Sequence, residues 1–210
     1  MNFEDRIRLY NKENFALMYP KYNLFHLANN LQKGVTSCIT NALSIIDSFT
    51  DTDPEILEIT EKMNVMDIVK PNRIYHVIRS NDFFVYPHHV CYAYYEGKYY
   101  EIESFLNINT IEVDELTEKK FIKYFQKYLD HPILCKEFNA SVTIHSCKID
   151  DHETVLQNIE KNIQEFLANA NDEDKAKYLE IHEKVQELLG SDLTFDHNLI
   201  QVFLGTNIVV

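Results

Sequence analysis

The sequence predicts an α+β fold in which a helix led by a cysteine packs on an antiparallel β-sheet, followed by a mostly helical C-terminal portion. Three observations predict it. From Ser37 onward, Ile39, Ala42, Leu43 and Ile46 fall on one helical face. Runs rich in β-branched and aromatic residues then occupy 73–79, 82–86, 88–95 and 98–105. Apolar stripes at helical spacing return over 152–169 (Leu156, Ile159, Ile163, Phe166) and 173–189 (Tyr178, Ile181, Val185, Leu188).

In chain order, the segment to about Asn30 reads as a helix and an irregular arm, broken at Tyr19-Pro20. Thr36 or Ser37 supplies the cap for the helix that begins at Cys38. Asp53, Pro54 and Glu55 present a cap, a first-turn proline and an acidic first turn, so a second short helix is expected, ending before Pro71. Between the last two strand runs, Tyr95-Glu96-Gly97 fits a three-residue hairpin loop with glycine at the position of positive φ. That loop pairs Tyr94 with Lys98 and sets His89 opposite Glu103; a two-residue turn instead aligns His88 diagonally with Glu103. Further on, Asp114 caps a helix carrying Phe121, Ile122, Phe125 and Leu129, and 140–149 reads as another strand. The stripes at 152–169 and 173–189 form an antiparallel helical hairpin stopped by Gly190, and the tail 199–210 adds an edge strand or packs on the core.

Composition narrows the function. At 210 residues and 45% apolar content the chain buries a full core without metal or disulfide staples. Its apolar runs are too short for a bilayer, and MNFEDRIRLYNKENF lacks the order of a signal peptide, which places the protein in the cytoplasm. Cys38, Cys91, Cys135 and Cys147 are therefore expected as reduced thiols. A net charge of -13 opposes binding to nucleic acid, which depends on Lys and Arg displacing counterions.

Cys38 at a helix start meets the positive end of the backbone dipoles, which favours a nucleophilic thiolate. An imidazole beside the sulfur acts as base and then acid, and a carboxylate behind the ring fixes its tautomer; His89 and Glu103 supply these groups. The oxyanion of a tetrahedral intermediate needs donors, for which the Cys38 backbone N–H and the Gln32 amide are the candidates.

The segment Gln32-Lys-Gly34-Val-Thr-Ser37-Cys38 resembles the Gln-to-Cys segment of papain-like cysteine proteases, and HHVCYAYYEGKYYEIES resembles the His-strand-turn-strand-acid element of the wider superfamily, including transglutaminase-like and arylamine N-acetyltransferase-like enzymes. This resemblance covers roughly 30–105 and implies a papain-like catalytic core over 1–110, with 111–210 packed on or covering it. It also implies that Gln32, Cys38, His89 and Glu103 act as oxyanion donor, nucleophile, base and orienting acid. The chain departs from the pattern in having Ile39 after the nucleophile, and Glu where Asn or Asp is usual. The implied reaction is thioester-forming acyl chemistry on a peptide, protein or small amide: hydrolysis first, with deamidation, transglutamination and acyl transfer as alternatives. No cofactor is required.

Alternatives stay open at several residues. Cys38 taken alone reads as a small buried hydrophobe, His88 competes with His89 as base, and Glu101 or Ser104 competes with Glu103. His88, His89, Cys91, His145 and Cys147 offer ligand types that suit a structural zinc, although adjacent strand histidines point to opposite faces. The tyrosines at 92, 94, 95, 99 and 100 read as cross-strand packing. A non-enzymatic protein that engages a basic partner through its acidic surface is the competing class.

Overall fold

Strand-forming residues and helix-forming stripes alternate along the chain, and the computed structural model assembles them as one antiparallel sheet with helices on both faces. It describes residues 1–32, 37–49, 54–82, 87–103 and 111–189, apart from the side chains of Gln32 and Leu189. The elements are α1 (Phe3–Asn14), α2 (Met18–Lys21), α3 (Ala28–Gln32), α4 (Cys38–Ile46), β1 (Glu55–Ile59), α5 (Val65–Ile68), β2 (Arg73–Ser80), β3 (His88–Tyr95), β4 (Lys98–Glu103), β5 (Glu112–Leu116), α6 (Glu118–Leu129), α7 (His131–Leu134), β6 (Ser141–Lys148), α8 (His152–Asn169) and α9 (Asp172–Leu189). The six strands lie in the order β1-β6-β2-β3-β4-β5.

Successive strand residues face opposite sides of a sheet, and both sides here are apolar. Ile74, Cys91, Ala93, Ile102, Val113 and Cys147 face one way and bury against α1, α4 and α8. Tyr75, Val77, Val90, Tyr92, Val142 and Ile144 face the other way and meet Phe121, Phe125 and Leu129 of α6. A further cluster joins residues 15–19, Leu24 and Leu31 to Tyr178, Ile181, Val185 and Leu188, so the stripe of α9 seats on the N-terminal arm.

Three expectations are corrected. Residues 55–59 form edge strand β1, paired with β6 from Glu55↔Ser146 to Ile59↔Val142, instead of a helix. Residues 112–116 form edge strand β5, and α6 is capped by Thr117, whose Oγ1 accepts the Lys120 N–H, instead of by Asp114. Beyond residue 110 the chain supplies β5 and the interior strand β6. The expected strand 82–86 falls mostly, and the tail 199–210 wholly, outside the described residues.

The third correction governs the site. Tyr95 pairs with Lys98 and Cys91 with Ile102, so the β3–β4 turn holds two residues instead of three. Glu96 (φ 49°) and Gly97 (φ 80°) both occupy the left-handed region, as a two-residue hairpin turn requires. The Asn72 side chain braces that turn by accepting the Glu96 N–H at 3.1 Å. A Cβ on Gly97 would meet nothing within 4 Å, so the cost of Gly97→Ala is conformational. Urea unfolding is expected to show a loss of about 1 kcal/mol for that variant.

Candidate active site

Helix α4 starts at Cys38 because Ser37, in an extended conformation, turns its Oγ to accept the Thr40 N–H at 3.1 Å. The first turn is held from several sides. The Ser37 and Thr40 hydroxyls lie 2.8 Å apart, Asn41 Nδ2 donates to the Ser37 carbonyl at 3.1 Å, and the Tyr19 hydroxyl hydrogen-bonds Thr40. Deeper in the helix, Ser44 Oγ donates to Asn11 Oδ1 of α1, and Asn14 Nδ2 donates to the Ser44 carbonyl at 3.0 Å. Cys38 is half-buried at the mouth of this braced helix. Its backbone N–H belongs to the first turn, where no intrahelical acceptor exists.

His88, not His89, is the imidazole that the sheet brings to Cys38. With the two-residue turn, Val90 rather than His89 falls in line with Glu103, and His88 lies diagonally across from that carboxylate. The His88 Nε2 to Glu103 Oε1 distance is 3.6 Å, and the same ring hydrogen-bonds the Cys38 side chain. Burial disfavours charge on His88, but its hydrogen bonds to Cys38 and Glu103 outweigh it and push the ring up to about 9. Its side chain is 16% exposed and that of Glu103 36%, so the pair is screened from water mainly on the imidazole side. Tyr128 at the end of α6 stacks on His88, with centroids 6.2 Å apart and planes at 19°. Arg79, the Cα partner of His88 on β2, holds its guanidinium 5.4 Å from the Tyr128 ring centroid.

His89 points to the opposite face, 7% exposed, where its Nδ1 lies 2.7 Å from Nε2 of buried His76. His145 stands beside His76, with ring centroids 5.8 Å apart. Burial and the nearby charge of His88 pull His89 down to about 4, and burial holds His76 well below its ordinary value. Both rings are neutral at physiological pH.

The other candidates separate cleanly. Glu101 Oε1 accepts the Tyr92 hydroxyl, and burial raises its carboxyl, so it serves a different partner from His88. Ser104 is outside the described residues, as is the side chain of Gln32, whose backbone closes α3. Cys91 is fully buried under α4, where its Sγ lies 3.9 Å from the Ala42 carbonyl, and burial pushes its thiol up. Among the described residues no group of three or more His, Cys, Asp or Glu converges on a metal position, so the zinc alternative has no site there. Nor, among those residues, is any helix long and apolar enough to cross a membrane.

Sequence reasoning missed Arg79 and Tyr128. The only signal for Arg79 is its register with His88, which requires knowing how β2 and β3 pair across residues 81–87. Tyr128 carries no motif; it reaches the site because Phe121, Phe125 and Leu129 bury one face of α6 and so fix the rotation of its last turn.

Compared with known proteins, the chain matches no family model, no curated protein and no solved structure.

Proposed function

We propose that this protein is a papain-like cysteine enzyme that hydrolyses a peptide or amide bond, with Cys38 as nucleophile, His88 as base and acid, and Glu103 as the orienting carboxylate. The observation that carries the reading is one half-buried imidazole that meets both a thiol at a helix mouth and a carboxylate on the adjoining strand. In this reading the Cys38 sulfur, deprotonated by His88, attacks the substrate carbonyl and forms a C–S bond. The oxyanion that results is met by the first-turn N–H of Cys38, with Gln32 the expected second donor. His88 then gives its proton to the departing amine as the C–N bond breaks, leaving a thioester. In the second half, His88 takes a proton from water, hydroxide adds to the thioester, and the carboxylic acid leaves as the thiolate is restored. With Nε2 turned to Glu103, Nδ1 is the ring nitrogen left to exchange that proton.

The reading calls for reduced thiols and therefore a cytoplasmic setting. It is tested by treating native protein with limiting iodoacetamide and mapping the adducts. Cys38 is expected to label first, ahead of the equally half-buried Cys135 and well ahead of buried Cys91 and Cys147. Labelling of Cys38 only after denaturant is added would overturn the proposal.

A further inference from the structure

We propose that the cleft at the far end of α4 is a binding site for an adenosine-type nucleoside, read through its base. The cleft holds about 520 Å³ and is lined by the end of α4, the β1–β6 edge and α8, a size within the ordinary range for a small-molecule site. Cys38 opens α4 and Ile46 closes it, which sets the cleft roughly 12 Å along the helix from the thiol and makes it independent of the acyl-transfer reading. From α8 come Asn158 and Asn162, four residues apart on the same helical face. From the sheet come His145 and Ile56, direct Cα partners on β6 and β1 whose side chains leave one face side by side. Buried Ile46 and Phe49 complete the apolar part of the lining.

Two features of the lining point to a ligand. Asn158 Nδ2 is buried without a hydrogen-bond partner among the described residues, and a sealed donor is costly unless something else accepts from it. Ile56 is 65% exposed, leaving apolar surface that a flat ring would cover. The charges in the lining are already engaged: Lys21 Nζ lies 2.6 Å from Asp47, Lys70 Nζ 2.6 Å from Glu55, and Lys161 Nζ 3.7 Å from Glu165. What remains is neutral hydrogen bonding beside apolar surface, the chemistry that recognises an uncharged heterocycle. A side-chain amide carries a donor next to an acceptor, and this is the pattern by which asparagine pairs with the edge of adenine. A nucleoside carries no phosphate, so the net charge of -13 does not oppose it.

The test is equilibrium dialysis of adenosine against wild type, Asn158→Leu and Ile56→Thr. Asn158→Leu keeps the volume and removes the amide, and it is expected to weaken binding roughly 10-fold. Because the native Nδ2 has no partner to lose, the thermal midpoint of this variant without adenosine is expected to be unchanged or raised. Ile56→Thr keeps a β-branched residue at an exposed strand position, and is expected to weaken binding a few-fold through lost apolar contact. Should Asn158→Leu fail to fold, the Ile56→Thr comparison decides. Adenosine that shows no saturable binding to wild type would overturn the inference and leave water as the partner of Asn158. Equal binding to wild type and the folded variants would place the adenosine elsewhere and overturn it as well. Labelling of Cys38 bears on neither outcome, so this inference and the functional reading fail separately.

Discussion

His88→Ala is expected to abolish most of the reactivity of Cys38 at mildly acidic pH, whereas His89→Ala leaves it nearly intact. A positioned imidazole is worth roughly 10²–10⁴-fold in acid–base chemistry, and His88 is the ring that touches both Cys38 and Glu103. His89 lies on the other face against His76, so its removal opens a cavity under α4 without touching the sulfur. The measurement is the second-order rate of Cys38 alkylation by iodoacetamide from pH 5 to 9 in the two variants and wild type. The wild-type to His88→Ala ratio is expected to be largest near pH 6, where a thiol without a charged neighbour is protonated. Glu103→Gln gives an intermediate loss, because the amide still accepts from the ring but no longer favours its charge. Equal effects of His88→Ala and His89→Ala would defeat the assignment of His88.

The choice between these two histidines shows where the sequence stops being informative. Glycine at 97 signals a turn of positive φ, but it fits a three-residue loop and a two-residue loop alike. The shorter loop also demands positive φ at Glu96, a residue with no preference for it, and what secures it is Asn72, distant in sequence, whose side chain accepts the Glu96 N–H. No local pattern encodes that contact, yet it sets the register, and a shift of one residue exchanges the faces of His88 and His89. Edge strand β1 misleads for a related reason. Asp53-Pro54-Glu55 has helix-start chemistry, while the strand at Glu55–Ile59 exists because β6 offers it an unpaired edge. Features set by local physics are legible: a cap at Thr36 or Ser37, of which Ser37 serves, the helix opening at Cys38, the strand core of β2, β3 and β6, and the stripes of α8 and α9. Glu103 was legible as a candidate because a carboxylate near the hairpin's end stays within reach of β3 in either register.

Acid is expected to unfold this protein earlier than its carboxylates alone would require, because His76 and His89 are buried as neutral rings sharing one hydrogen bond. Their folded values are depressed, His89 to about 4, so below the unfolded value of about 6.5 the unfolded chain binds the protons that the native state refuses. The sign follows. Neither ring alters stability above about pH 6.5, and the pair removes stability progressively as the pH falls below it. A short bond between two imidazoles uses one N–H, and charging both rings would set like charges against each other in an apolar layer beneath α4. Urea unfolding at pH 7, 6 and 5 reads this directly. His76→Gln, which keeps a hydrogen-bonding group but cannot charge, is expected to flatten the slope while lowering stability at pH 7. A slope unchanged by His76→Gln would mean that these rings titrate alike in both states. The physical point extends to the site: His88 and His89 are neighbours in sequence, yet one ring is held charged by a thiol and a carboxylate and the other held neutral by an apolar layer and a second imidazole. A strand that alternates its faces is what allows two identical side chains to carry opposite protonation states one residue apart.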